Sequence, residues 1–512
     1  MRIGVDVGGT NTDAVLMDGA RVVSKAKTAT TPDVSSGIIT ALDMVLGQTG
    51  TSTERVQGVM IGTTQFTNAI LERRELARTA VVRLCLPATS MLPPLVDWPE
   101  ELKEAASFQV RMLHGGHEFD GRPISELDDA ELIQTAVELR DAGVEAVAVS
   151  DVFSPVDPSF EEEAARVFRE EMPGVRVSLS HEIGRMGLLE RENAAALNAC
   201  LSVAAERTVS AISEAFRKRE LKVPIFWSQN DGTLMDSDFA VRYPVLTVSS
   251  GPTNSMRGAA FLSGVRDCAV VDVGGTTTDV GMLVNGFPRE ASTSVSVGGV
   301  RTNFQMPDVY SFALGGGSVV SESPFSIGPL SVGYGLTTEG TIFGGKVLTA
   351  TDCAVAGGLA SIGDPGLVKG LKAGLVSKVI EEMQRRVAEA IDRVKLSAGP
   401  VPVVLVGGGS VLIRQELEGA SEVIRPEHFE VANAIGAAIA QVGGQVDRVY
   451  TLTEMTREEA LEQAKEEAIR RATEAGATPS SVEVVQVDEV PLSYLPSNVT
   501  RIRVKAVGEL AL

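Results

Sequence analysis

One phrase occurs twice in this 512-residue chain, and it constrains what the chain can fold into more than any other feature. Asp6 to Asp13 reads DVGGTNTD and Asp272 to Asp279 reads DVGGTTTD, differing only at Asn11 and Thr277. Each copy follows a short apolar run, Ile3–Val5 or Ala269–Val271, and continues into AVLM or VGML. The pattern is a strand, a tight glycine turn and a second strand. In such a turn glycine lets backbone N–H groups come close to an anion, and threonine hydroxyls add donors. Phosphate contacts are therefore expected from Gly8, Gly9, Thr10, Asn11, Thr12 and Asp13, and from Gly274, Gly275, Thr276 and Thr277. Asp6 and Asp272 head the two turns, where a carboxylate can hold a divalent cation directly or through water. Two such turns imply loops closing on one polyphosphate from opposite sides.

A third glycine turn follows another buried-strand pattern. VPVVLVGGGSVLI spans Val401 to Ile413, and Gly407, Gly408 and Gly409 let the chain pass close to a flat ligand such as an adenine–ribose. The net charge of −21 argues against a partner with a phosphate backbone, and two tryptophans offer no stacking platform for nucleic acid. A nucleotide site is compatible with that charge, because it relies on backbone amides and a metal. No run of 18 apolar residues exists, so no membrane span is expected, and the amino terminus enters a strand without a secretory pattern. The four cysteines form no CxxC pair, which fits a cytoplasmic protein with reduced, buried thiols. His114 and His117 form HGGH. Gly115 and Gly116 break any helix there, so loop or surface histidines are expected, with a metal pair as the alternative.

Strand-like and helix-like stretches alternate through most of the chain, the mark of an α/β architecture. Helices are expected at Gly37–Leu46, Asn68–Arg74, Leu188–Lys218, Val376–Val394 and Val431–Ala440, and strands at Val56–Ile61, Val144–Phe153, Val223–Trp227 and Val401–Val406. Residues 318–345 are rich in glycine and serine and read as loops. The expected division is a first lobe over 1–200 with an inserted segment near 89–128, a second lobe over 201–445, and a small appended α+β unit over 446–512.

The order of two phosphate turns and an adenosine-type turn resembles the superfamily of actin, hexokinase and the heat-shock ATPases. Further stretches resemble the hydantoinase A/5-oxoprolinase family in particular. They are IGTTQFTNAILERR at Ile61–Arg74, LSHEIGRMGLLERENAAALNACL at Leu179–Leu201, QNDGTLM at Gln229–Met235 and SSGPTNSMRGAA at Ser249–Ala260. LGGGS at Leu314–Ser318, LTATDC at Leu348–Cys353 and ANAIGAA at Ala432–Ala438 follow in the same order, so the likeness covers residues 1–445.

That resemblance implies a two-lobed, actin-like ATPase fold with ribonuclease H-like lobes, ATP and Mg²⁺ in the interlobe cleft, and a short-form ATP-dependent hydrolase subunit. The implied reaction opens a small cyclic amide, such as a hydantoin, oxoproline or lactam, by phosphorylating the amide oxygen. A second, hydrolytic subunit or a homo-oligomer is implied as partner. On this view Asp6, Asp272 and Asp352 are the catalytic carboxylates, with Asp6 and Asp272 also organising the metal. Asp352 has a second reading, as the N-cap of a helix over Cys353–Leu359. Thr63, Thr64 and Asn68 face substrate or cap the following helix. Ser250, Gly251 and Pro252 form a substrate-side turn or a bend. A sugar or small-molecule kinase of the same superfamily is one alternative, and an ATP-driven reactivating or assembly factor for a partner enzyme is another.

Overall fold

The computed structural model describes residues 1–9, 11–30, 34–291, 295–304, 306–452, 455–492 and 499–511. Thr10 lies outside the described residues. Both copies of the repeated phrase fold as hairpins of the same construction. Arg2–Val7 pairs antiparallel with Asn11–Asp18, setting Asp6 opposite Asp13. Cys268–Val273 pairs antiparallel with Thr278–Val284, setting Asp272 opposite Asp279. Each leading strand also has a parallel neighbour. Gly58–Thr63 brings Gly62 beside Asp6, and Val401–Val406 ends beside Asp272 and delivers the glycine turn. Ile3, Val5 and Val7 alternate inward around Asp6, as a strand buried on both faces requires.

The first hairpin belongs to a nine-stranded sheet. This sheet also holds Ile225–Ser228, Leu234–Asp236, Val442–Thr451, Glu483–Pro491 and Val499–Gly508. That corrects the expected division in two places. Residues 225–236 lie beyond the boundary expected at 200, yet they pair with the first lobe's strand Gly58–Thr63. The last residues form no separate unit. Val442–Thr451 joins Leu234 in parallel and carries the C-terminal strands, while helix Arg457–Glu474 buries Ala460, Ala464, Ala468 and Ala472 against the same core. A strand pattern states that a segment pairs, not with which partner, so neither pairing is legible in it.

The second hairpin lies in a sheet with Phe287–Pro288, Val309–Phe312, Val401–Val406 and Ala420–Ile424. Helix Ala373–Val394 covers it with Val376, Val379, Ile380, Met383, Val387 and Ile391. The glycine- and serine-rich stretch expected as loops contains a hairpin, Ser318–Glu322 with Phe325–Ser331, because Val320 and Ile327 pair and bury together.

Within the first lobe a four-stranded parallel sheet is inserted, in the order Gln109–His114, Thr79–Leu86, Ala146–Asp151, Arg176–Leu179. The helix Leu188–Lys218 runs from this insert to the main sheet. Ala194–Ala196 pack with the insert, while Val209, Ile212 and Phe216 join the main core. At the start of that helix Glu192 holds Arg83 through two hydrogen bonds of 2.7 and 2.6 Å, both side chains fully buried.

Two helices cross between the lobes. Ser250–Ser263 (the Ser250 helix) packs on the second sheet through Met256 and Ala259, and Ala432–Ile439 (the Ala432 helix) packs on the first hairpin through Ala434, Ile435 and Ala438. They meet backbone to backbone. A Cβ on Gly258 would lie 1.9 Å from the Ala432 carbonyl oxygen, and one on Gly436 would lie 1.9 Å from that of Asn254. Small residues at both positions let the two helices bring polar side chains to one point beneath the cleft.

Candidate active site

Between the two hairpins lies a cleft of about 580 Å³. Its walls include Gly8, Gly9, Asn11 and Asp13 from the first turn and Asp272, Gly274, Gly275, Thr276 and Thr277 from the second. Gly407, Gly408 and Gly409 also line it, and Leu336, Ile362 and Val411 are its apolar lining. The two turns share one internal bond: Gly8 N–H donates to the Asn11 carbonyl at 3.0 Å, and Gly274 N–H to that of Thr277 at 2.9 Å. The second turn is braced from behind, where Gly316 and Gly317 donate to the Gly274 and Gly275 carbonyls.

Asp6 is buried behind the cleft-lining Asn433, where both crossing helices reach it. Asn433 Nδ2 donates to its Oδ2 at 3.0 Å and also to Asp13 Oδ2 at 3.1 Å, and Asn254 Nδ2 approaches Oδ1 at 3.5 Å. Burial, and then repulsion from Asp13, push the Asp6 carboxyl up from 3.8 to about 6, against the pull of the two amides. Asp272 is raised as well, by burial, although the Ser255 hydroxyl hydrogen-bonds to it and the Lys27 ammonium favours its charge. Asn254 and Ser255 are consecutive, so one turn of the Ser250 helix touches both aspartates. Burial also raises Asp279 to about 6, and there Ser311 is the hydrogen-bond partner. Lys27, opposite Asp13 in register, pairs with it at 2.5 Å and lines the cleft.

Close approach explains the glycines beside the aspartates. A Cβ on Gly62 would stand 2.4 Å from Asp6 Oδ1, and one on Gly407 would stand 2.1 Å from Asp272 Oδ1. Gly407 also has φ of +81°, which L side chains rarely adopt.

Three expectations need adjustment. Thr12 does not face the cleft: strand alternation turns it inward, where it is buried and shares a hydrogen bond with Thr30. Asp352 is no free carboxylate. It is fully buried and accepts from Thr341 N, Ile342 N, Thr349 N and Thr349 Oγ1 in a capping box of the helix Ala350–Ala356, so its carboxylate holds the chain together and does not line the cleft. Ser250, Gly251 and Pro252 are not a loop but the first turn of the Ser250 helix. Thr63 Oγ1 accepts locally from Gln65 N at 3.1 Å, while Thr64 Oγ1 donates to the Val7 carbonyl at 3.3 Å and so stitches the end of Gly58–Thr63 to the first hairpin. Asn68 Nδ2 is 3.5 Å from Thr64 Oγ1. His114 faces Glu131 at the surface, while His117 is buried against Asp151 at 2.6 Å, so the two rings serve different carboxylates.

Sequence reasoning missed Lys27, Asn254, Ser255 and Asn433. It also missed Gln65, whose Oε1 is buried without a hydrogen-bond partner among the described residues. No group of three His, Cys, Asp or Glu gathered to hold a metal unaided exists among the described residues. The donors that are present fit a cation of the Mg²⁺ kind. Asp13 and Asp272 raise the proton affinity of Asp6, and Asp13 raises that of Asp272, around a cleft lined with backbone amides, and Mg²⁺ is commonly held by one or two carboxylates, water and phosphate oxygens.

Comparison with known proteins places this geometry. A family model described as the hydantoinase/oxoprolinase N-terminal region matches residues 2–172, and one described as hydantoinase/oxoprolinase matches residues 191–364. Caprolactamase subunit alpha of Pseudomonas jessenii is 26% identical over 479 residues, covering 85% of this chain and 65% of that protein. The acetophenone carboxylase gamma subunit of Aromatoleum aromaticum is 26% identical over 389 residues, covering 69% of this chain and 52% of that protein. The chain thus spans less than two thirds of the length of these relatives. Among solved structures, the ATP-dependent caprolactamase from Pseudomonas jessenii aligns with a TM-score of 0.80 at 20% identity, over 100% of this chain and 88% of that one. Nucleotide-free acetone carboxylase aligns with a TM-score of 0.70 at 18% identity, over 99% and 88%. Both carry the two-lobed fold seen here.

Proposed function

The chain belongs to the hydantoinase/oxoprolinase family, and on that premise we propose that it uses ATP to activate the carbonyl oxygen of a small cyclic amide for ring opening. The observation that carries the reading is the pair of equivalent hairpins, each headed by a buried aspartate, facing each other across one cleft.

An unstrained amide is a poor electrophile. If its oxygen takes the γ-phosphoryl group, the bond to the bridging oxygen breaks and ADP leaves. Water can then add to the carbon, the C–N bond breaks to release the ring amine and leave an acyl phosphate, and a second water hydrolyses that to the carboxylate and free phosphate. Backbone N–H groups of Gly9, Asn11, Gly275, Thr276 and Thr277 receive the phosphates, and Lys27 supplies positive charge. Leu336, Ile362 and Val411, which line the cleft together with Gly407–Gly409, would supply the apolar contacts for adenine. Asp6 and Asp272 would hold Mg²⁺, which when bound neutralises charge on the transferred group. Asn254 and Asn433 fix the Asp6 carboxylate in position, and Ser255 does the same for Asp272. Because the crossing helices carry these residues, lobe closure would move them together.

The ring would lie beyond Asp6, near the carboxyl end of Gly58–Thr63 and the start of the Ser250 helix. Thr63, Thr64, Asn68, Ser250, Gly251 and Pro252 would be its neighbours, and Gln65 Oε1, buried without a hydrogen-bond partner among the described residues, would accept from a ring N–H. Caprolactamase and acetophenone carboxylase relatives are named as subunits, which supports a partner protein here too, supplying the hydrolytic half. Among the described residues no helix is long and apolar enough to cross a membrane, and all four cysteines are free and buried, which supports a cytoplasmic setting. Phosphate release measured with ATP and a panel of lactams and hydantoins tests the reading. Ring-stimulated turnover supports it. Stimulation by sugars with a phosphosugar product, or by a protein partner alone with no ring opened, overturns it.

A further inference from the structure

The second lobe leaves a sheet edge open. Val309–Phe312 pairs with Thr278–Val284 on one side, and among the described residues no strand bonds its other side. Its sequence, VYSF, has no charge and no proline, the residues that usually guard such an edge. Beside it runs a groove of about 620 Å³, walled by the helix Ala373–Val394 and the hairpin strand Phe325–Ser331. Tyr310, Phe312 and Phe325 give the groove an aromatic lining, and Leu330, next to the lining Pro329, is 74% exposed.

The helix supplies charge. Lys378 Nζ lies 3.9 Å from the centre of the Phe325 ring, and the Arg393 guanidinium lies 4.7 Å from that of Tyr310. Neither cation has a carboxylate partner among the described residues, whereas Glu382 and Glu389 on the same wall are held by arginines of their own helix. Arg386 also donates to the Ile327 carbonyl at 2.9 Å and so ties the hairpin to the helix. The groove thus presents free positive charge on a chain whose net charge is −21. Lys378 and Arg393 stand roughly 22 Å apart at about 1.5 Å of helix per residue. An extended chain of about seven residues spans that distance.

We propose that this groove receives an extended acidic segment of a partner polypeptide, which adds as a strand to the free edge of Val309–Phe312. Alternate residues of the segment face the groove: acids at its two ends meet Lys378 and Arg393, and aliphatic side chains between them meet the aromatic lining. A second copy of this chain is a poor occupant, because a two-fold contact sets the free cations of both grooves against each other. No residue lines both this groove and the nucleotide cleft, so binding here is independent of the cyclic-amide chemistry.

Fluorescence anisotropy on the full chain tests this with three labelled peptides. They are ETVTVTE, its basic counterpart KTVTVTK, and a fully N-methylated ETVTVTE, which keeps the side chains but has no backbone N–H to pair. ETVTVTE should bind about tenfold more tightly than either control. Changing Lys378→Glu and Arg393→Glu together should reverse the preference, so that KTVTVTK binds about tenfold more tightly than ETVTVTE. A reversal cannot come from unfolding, and ATP turnover and melting temperature of the double variant should match wild type, since both side chains are exposed. Equal binding of the acidic and basic peptides, no binding of ETVTVTE at millimolar concentration, or no reversal in the double variant overturns the proposal. Undiminished binding of the N-methylated peptide also overturns it, by reducing the groove to a charged patch. So does a dimer in sedimentation that the double variant abolishes, which gives the face to a second copy. Phosphatidylserine vesicles that bind through Lys378 and Arg393 while no peptide does would assign the face to a membrane and overturn it as well.

Discussion

Asp6→Asn should make the metal-free protein more stable at neutral pH while destroying its activity. In the folded chain the Asp6 carboxyl titrates at about 6 instead of 3.8, chiefly because it is buried and then because Asp13 repels its charge. The sign follows from linkage. A group whose folded pKa is raised contributes stability that is fully present below its unfolded value and is lost as pH rises through the folded value. Here that window runs from 3.8 to about 6. At about 1.4 kcal/mol per pH unit the loss comes to about 3 kcal/mol above the window, as an order of magnitude. Asparagine cannot ionise and escapes it. The exchange also swaps an acceptor for a donor facing Asn254 or Asn433, but that cost does not vary with pH. The assay is therefore a difference: melting temperatures of wild type and Asp6→Asn in EDTA, from pH 4 to pH 8. The variant should gain on wild type by about 3 °C if the whole chain unfolds together, and by about 6 °C if one lobe does, taking about 2.1 cal/mol/K per residue. A gap that does not change with pH would refute the reasoning, as would one that shifts against the variant. ATP turnover in Asp6→Asn should fall by about 100-fold or more, since the residue placed to organise the metal has lost its charge.

Other substitutions probe separate parts of the account. Gly407→Ala, which would drive a Cβ to 2.1 Å from Asp272 Oδ1 at a φ of +81°, should eliminate the heat of ATP binding by calorimetry. Gly436→Ala should lower unfolding stability in urea by about 3 kcal/mol, because its Cβ has no room against the Asn254 carbonyl where the helices cross. Glu192→Ala leaves Arg83 buried without its partner and should cost about 3–5 kcal/mol, whereas the paired change Arg83→Met with Glu192→Leu should cost much less. Asp352→Ala should cost about 3 kcal/mol by removing the acceptor for three backbone N–H groups, and below its melting temperature it should retain far more ATP turnover than Asp6→Asn.

The parts of the site that were legible in the sequence are those where glycine spacing carries the physics. The two DVGGT turns and the triple glycine announce close backbone approach whatever surrounds them, and the structure sets all three around one cleft. Side chains that arrive from elsewhere had no such mark. Asn254 and Asn433 are ordinary asparagines in SGPTNS and ANAIGAA, hundreds of residues from Asp6 in sequence, and only the helix crossing brings them to it. Lys27 becomes a cleft residue because a bulged register sets it opposite Asp13. Two positions are decided by local chemistry alone. Period-two alternation from Asp13 already turns Thr12 to the other face, and Thr349 three residues before Asp352 is a capping-box pattern. The placement of residues 442–508 was of another kind. Their strands were readable, but the edge they would extend was set by Leu234, which no local pattern names.

A crystal structure of the protein with Mg²⁺ and a non-hydrolysable ATP analogue tests the central claim most directly. The account predicts β- and γ-phosphates between the Gly8–Asn11 and Gly274–Thr277 turns, the metal beside Asp6 and Asp272, and adenine against Gly407–Gly409. A nucleotide bound elsewhere on the molecule, or a cleft still empty at saturating analogue, would contradict it.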